Sequence, residues 1–270
     1  VAVGNNTLSS DTKGNKSTAI GYEALTSQNF STSTDTYNVA VGFQAGASVT
    51  TGTGNILVGG LVGDALTEGS SNVAIGQTAL TSDTLGSRSV AIGQSALFTQ
   101  NFTSATNAYN TGVGYFAGAN ITTGTNNTLI GGLAGDALTT ASGITAVGYA
   151  ALSASTTGSA NTVMGYLAAD ALTTASNNVA MGNSALGAGT TGGNNVAIGF
   201  NALLSNTTGV ANTAVGSRAL DANTTASNNT AVGYQALTEN TTGTSNVAVG
   251  YNSSDANTTG FQNTAIGYLS

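Results

Sequence analysis

The chain has 270 residues, 40% hydrophobic but only 6% aromatic and 6% charged, with 38 glycines and no cysteine, histidine or proline. The lack of Cys and His removes thiol nucleophiles, disulfides, imidazole bases and Cys/His metal cages together. Four scattered cations (Lys13, Lys16, Arg88, Arg218) against 11 carboxylates give a net charge of −7, which leaves no basic footprint for nucleic acid.

An ordinary domain carries about 25% charged residues, so Thr, Asn and Ser must supply the wetted surface here. Disordered chains lack β-branched apolar residues at regular spacing, and this chain has them throughout. No stretch approaches 18 apolar residues, so no transmembrane helix and no membrane contact are expected in this segment.

The first phrase, Val1-Ala2-Val3-Gly4, opens a repeat. Its glycine recurs at 21, 42, 59, 76, 93, 114, 131, 148, 165, 182, 199, 216, 233, 250 and 267. Thirteen of the fifteen intervals are 17 residues and two are 21, giving longer coils at 22–42 and 94–114. A fixed short period implies a stacked architecture. Val, Ile or Met stands before every one of these glycines. Val or Thr stands two places earlier in all but one copy (Ile56), and the residue between is usually Ala. Alternation of β-branched residues predicts a strand rather than a helix. The column before the glycine is expected to face the core: Ile20, Val41, Ile75, Ile92, Val113, Ile130, Val147, Ile198, Val215, Val232, Val249 and Ile266. The Ala column is expected to face away from it.

After the glycine comes x-Ala-Leu, as in Glu23-Ala24-Leu25 and Gln235-Ala236-Leu237, read as a second short strand sending Leu to the same core. A variant carrying Asp64, Asp136 or Asp170 moves the Leu three places on. A polar link, typically Asn-Thr-Thr-Gly, returns the chain to the next coil. The Asn four places before the glycine occurs in 12 of 15 complete copies, and stacked Asn can form an amide ladder.

Residues 42–76 match 114–148, so a block of four coils, 72 residues with its insertion, has been duplicated. The expected fold is all-β: one parallel β-solenoid of 16 coils over 1–270, with strands about 4.8 Å apart and a rod of roughly 75 Å. The chain starts and stops in mid-phrase, so it is read as a segment of a longer fibre.

The recurring phrase N-[VT]-A-[VI]-G before a short A-L segment resembles the YadA-like head repeats of trimeric autotransporter adhesins, and similar repeats occur in bacteriophage tail fibres. The resemblance covers the whole chain. It implies a left-handed β-roll, a parallel homotrimer, and a fibre outside the cell or on a virion. The departures are the 17-residue coil, longer than is usual for the family, and Asn where the family often has Ser.

No spacing suggests a paired acid/base constellation, so no catalytic residue, no cofactor and no structural metal are expected, and the chain is read as a non-enzyme. Asp64, Asp136 and Asp170 lie two to six coils apart, too far to share a calcium ion readily. The residue after the glycine is aromatic in nine copies (Tyr22, Phe43, Tyr115, Tyr149, Tyr166, Phe200, Tyr234, Tyr251, Tyr268). That row either stacks on sugar rings or packs on itself or a neighbouring subunit. The insertions 26–37 and 98–109 place Phe30, Tyr37, Phe102 and Tyr109 in bulges. They are read as ligand-contact loops or as spacers covering an apolar edge.

Two functional classes compete. One is an adhesive fibre, cellular or phage, touching a surface glycan or protein through many weak contacts that add by avidity. The other is ice binding, raised by Thr-Thr pairs in ten coils and opposed by their position beside a turn.

Overall fold

The computed structural model describes all 270 residues and contains strands and turns but no helix. It comprises two compact units, Val1–Ala141 and Ser142–Ser270. The first holds β1 (Ala2–Val3), β2 (Gly14–Asn15), β3 (Thr18–Ile20), β4 (Thr34–Asp35), β5 (Val39–Val41), β6 (Ile56–Val58), β7 (Val73–Ile75), β8 (Gly86–Ser87), β9 (Val90–Ile92), β10 (Thr106–Asn107), β11 (Thr111–Val113) and β12 (Thr128–Ile130). The second holds β13 (Thr145–Val147), β14 (Thr162–Met164), β15 (Val179–Met181), β16 (Val196–Ile198), β17 (Thr213–Val215), β18 (Thr230–Val232), β19 (Val247–Val249) and β20 (Thr264–Ile266).

Adjoining strands pair in parallel one coil apart, as Val39 with Ile56 and Thr162 with Val179. This is the parallel β-solenoid expected from the 17-residue period. In the two longer coils the extra residues make a second small parallel pair, β2 with β4 and β8 with β10.

The faces of the strand are the reverse of the expected ones. Ala19, Ala74, Ala91, Ala197, Ala214 and Ala231 are fully buried. The expected core column lies outside: Ile20, Ile75, Ile130, Ile198 and Ile266 are exposed, and Val41, Ile92, Val113, Val147, Val215, Val232 and Val249 are half-buried. A strand sends alternate side chains to opposite faces, so the pattern fixes which residues share a face but not which face is inner.

Volume decides it. The residue four places after the glycine is usually a fully buried Leu (Leu25, Leu80, Leu97, Leu203, Leu237) that projects into the coil. That leaves room only for Ala on the inner face of the strand. Where the strand instead carries Leu57, Leu129 or Val163 inward, the Leu slot holds Gly63, Gly135 or Ala169. A side chain added at Gly63 would lie 2.9 Å from Leu57 Cδ2, and one at Gly135 2.9 Å from Leu129 Cδ2. The missing volume returns three residues later as Val49, Leu66, Ile121, Leu138 or Leu172, all fully buried. Coils that keep Leu in the slot put Asp83, Gln100, Asn206 or Asn223 there instead. Volume is thus exchanged within a coil or with its neighbour, since Leu57 Cδ1 and Leu129 Cδ1 also occupy the slots left by Gly46 and Gly118 one coil earlier.

The x-Ala-Leu segment is a turn and not a second strand. Both x and Leu take left-handed backbone angles, as at Gln235 (φ 53) and Leu237 (φ 50). Reversing the chain within so few residues requires that geometry, and the Leu accepts it because its side chain gains full burial.

The Asn column is buried and forms a ladder, with the bonds directed mainly at the backbone. Asn212 Oδ1 accepts the Asn229 N–H at 3.0 Å, and Asn229 Oδ1 accepts that of Asn246 at 2.9 Å. Asn229 Nδ2 donates to the Gly243 carbonyl at 2.8 Å. Amide-to-amide contacts are the longer ones, 3.3 Å from Asn229 Nδ2 to Asn212 Oδ1.

Candidate functional site

With the strands turned this way, each unit presents an outer sheet face with one column of Val, Ile or Met and beside it a column of mixed Val and Thr (Ile56 in one coil). In the second unit Met164 and Ile198 stand out from the strands, followed across the glycine by Tyr166 and Phe200. The aromatic residues form short stacks. Tyr234, Tyr251 and Tyr268 have ring centroids 5.2 and 5.3 Å apart and nearly parallel planes, and Tyr149 and Tyr166 lie 5.7 Å apart. In the first unit Tyr22 and Phe43 stack at 5.5 Å. Rings that cover one another's faces leave mainly their edges for other partners, which favours packing of the row on itself over sugar stacking.

The inserted coils separate the four residues singled out there. Phe30 and Phe102 are buried and serve as plugs, so neither is a contact residue for a ligand. Tyr37 and Tyr109 are about half exposed. Each is held by a cation from the preceding coil. Lys16 Nζ donates to the Tyr37 hydroxyl at 3.0 Å, with its ammonium 5.0 Å from the ring centre. Arg88 Nη1 donates to the Tyr109 hydroxyl at 2.6 Å, with the guanidinium carbon 5.6 Å from that ring.

Beneath each loop lies a polar network that the sequence did not announce. Gln100 Nε2 donates to Asp83 Oδ2 at 2.6 Å and to Ser89 Oγ at 3.0 Å, while its Oε1 accepts Asn110 Nδ2 at 2.8 Å. Asp83 Oδ1 also accepts the Gly86 and Phe102 N–H groups at 2.9 and 3.3 Å. In the first inserted coil Gln28 repeats this, bonding Asp11 Oδ2 at 2.6 Å and Asn38 at 2.8 Å. The signal available in the sequence was the 72-residue match of Asp, Ser, Gln and Asn at 11, 17, 28, 38 and 83, 89, 100, 110.

The remaining carboxylates do not converge: no group of three or more His, Cys, Asp or Glu side chains is placed to hold a metal ion. The Asp64 carboxylate accepts from the Thr81 hydroxyl. Burial raises Asp83, Asp136 and Asp170 above the ordinary carboxylate range, and Asp136 Oδ1 has no hydrogen-bond partner. Glu23 moves the other way, lowered by hydrogen bonds from Gln44 and Tyr22.

The sign of the pH dependence follows. A carboxyl raised in the folded state costs stability once it ionises, so that cost grows as pH rises through the unfolded value of about 3.9. Glu23 contributes stability above about 4.3, but it is exposed and screened. Three groups against one predict a higher Tm near pH 4 than near pH 8, and a thermal melt followed by circular dichroism checks it. A Tm that falls on acidification would refute the assignment.

The Thr-Thr pairs divide cleanly in the second unit. The first of each pair bonds onward, as Thr190 Oγ1 to the Thr207 carbonyl at 2.9 Å and Thr207 Oγ1 to that of Thr224 at 3.1 Å. The second members, Thr157, Thr174, Thr191, Thr208, Thr225, Thr242 and Thr259, are exposed in one column. No helix of the chain is long and apolar enough to cross a membrane. No protein-family model, no curated protein and no solved structure matches the chain.

Proposed function

We propose that this chain is a segment of an extracellular attachment fibre, in which three parallel copies of a left-handed β-roll pack through their outer sheet faces. The observation that carries this reading is the apolar outer face itself. A wetted sheet of this length would be expected to alternate apolar-in and polar-out. Here the small residue is inside, and Ile75, Met164, Ile198 and their aromatic neighbours stand outside. A contiguous exposed apolar surface marks an interaction site, and identical chains satisfy it most simply by closed rotational symmetry. The Thr- and Asn-rich remainder then faces the surroundings, where repeated weak contacts to a surface glycan or protein add by avidity. The fibre belongs either to a cell-surface adhesin of the trimeric autotransporter kind or to a phage tail.

Sedimentation equilibrium of the folded chain is the direct test. Three times the chain mass is expected, and Ile198→Asp together with Val215→Asp should yield single chains, because a buried unpaired carboxylate is strongly disfavoured. A native chain that sediments as a single copy at micromolar concentration would refute the assembly.

Ice binding is the second reading, favoured by the exposed Thr column, which runs through seven coils of the second unit without an insertion. The neighbouring outward column weakens it, because Ser159, Ser176, Ser227 and Thr244 are interrupted by Gly193, Val210 and Phe261. A freezing-point gap in a nanolitre osmometer would favour ice over attachment.

A further inference from the structure

The two inserted coils are copies of one design that differ in charge where Lys13, Glu23 and Asp35 are replaced, 72 residues on, by Leu85, Ser95 and Asn107. Each carries an outward tyrosine at a left-handed position (Tyr37, φ 53; Tyr109, φ 51) and a cation at the matching position one coil earlier (Lys16, φ 62; Arg88, φ 63). Each loop is fixed from below by its Gln network and its buried Phe. The ring and cation are therefore in place before any ligand arrives, and little conformational freedom is lost on binding.

The last of these charge differences lies beside the cation. Lys16 Nζ donates to Asp35 Oδ2 at 2.7 Å, and this is the only ion pair in the chain. Seventy-two residues later the counterpart of Asp35 is Asn107, exposed and uncharged. Arg88 is therefore an exposed guanidinium with no carboxylate partner, in a protein of net charge −7. Of its five N–H donors, Nη1 serves Tyr109.

We propose that Arg88 and Tyr109 form a surface site for a carboxylated saccharide. The apolar face of a pyranose ring covers the exposed tyrosine ring. Its carboxylate takes the free N–H groups of the guanidinium, whose planar fork matches two carboxylate oxygens. Asn107 precedes the ring in the chain and Asn126 holds the same position one coil on. Both are exposed and offer amide donors and acceptors to sugar hydroxyls. At Tyr37 the same platform is closed to anions, because Asp35 already neutralises the cation and repels a second carboxylate. The site names a partner class for the attachment reading and rests on that reading for its biological purpose.

The test uses the full chain, with trigalacturonic acid as the acidic probe and the neutral trigalactose of the same linkage as its control. Binding is followed by isothermal calorimetry and by ring-proton shifts of the tyrosines. The acidic probe should bind with a Kd on the order of 1 mM and about tenfold more tightly than the neutral one, as one charge-assisted contact would give. Arg88→Ala and Asn107→Asp should each reduce it to the level of the neutral probe, and Tyr109→Ala should weaken both probes. Asp35→Asn should create a second acid-selective site and double the stoichiometry. All these positions are exposed, so the fold should persist, and circular dichroism verifies it. Equal binding of the two probes, or acid binding unchanged by Arg88→Ala, would overturn the site and leave the fibre assembly standing. A single-copy chain that still selects the acidic probe would overturn the assembly and leave the site.

Discussion

Gly76→Ala is expected to destabilise the first unit by about 3 kcal/mol or more, whereas Gly60→Ala should change stability by no more than about 0.5 kcal/mol. Gly76 ends β7 with φ +132, a conformation that L residues rarely adopt. A Cβ there would sit 2.5 Å from the Gly93 carbonyl oxygen and 2.6 Å from its carbon, both backbone atoms of the next coil. Neither can yield without parting the stack. An added Cβ at Gly60 meets nothing within 4 Å. Urea titration of the two variants side by side separates a local steric fault from a general intolerance of alanine. Equal midpoints would show that the glycine column is not what allows coils to approach.

Asn229→Ala should cost about 2–5 kcal/mol, because it leaves two backbone groups without partners. The Asn246 N–H loses its acceptor at 2.9 Å and the Gly243 carbonyl loses its donor at 2.8 Å. Both sit where Asn229 and Asn246 are fully or almost fully buried. Asn229→Asp asks a sharper question. The carboxylate still accepts from Asn246 but faces the Gly243 carbonyl with no proton to give, and burial disfavours its charge. Its folded pKa should therefore rise above the unfolded value of about 3.9. The destabilisation is then largest at neutral pH and fades as the pH falls through the folded pKa. Denaturant melts of both variants at pH 5 and pH 8 check this: Asn229→Ala should lose a similar amount at each, while Asn229→Asp recovers at the lower pH.

The period, the parallel stacking and the laddering of the Asn column were all legible in the sequence, because each repeats at a constant interval and is forced by the backbone. The inner face was not. Val-Ala-Val and Val-Ala-Ile read equally well with Ala in or out, and the usual association of large apolar residues with the core pointed the wrong way. The decisive clue was the exchange of volume between Leu57 and Gly63, Leu129 and Gly135, Val163 and Ala169. It becomes visible only when two positions of a coil are known to face each other. The second strand failed for a related reason. Left-handed Leu is uncommon, so nothing in x-Ala-Leu advertised a turn. In the loops, Phe30 and Tyr37 look alike as exposed aromatics in a polar insertion, and only the packing assigns one to the interior and the other to the surface.

Forty residues other than glycine hold left-handed backbone angles, including Leu25, Leu80, Leu97, Leu186, Leu203, Leu220 and Leu237. An isolated coil has no means of keeping them there, since each such residue gives up on the order of 1–2 kcal/mol and its compensating contacts lie in the coils above and below. Growth of this molecule therefore resembles crystallisation in one dimension. The first two or three layers are unfavourable until they meet, after which every added layer finds its template already formed. Such a stack should assemble with a pronounced lag, resist fraying at interior layers, and come apart from its ends.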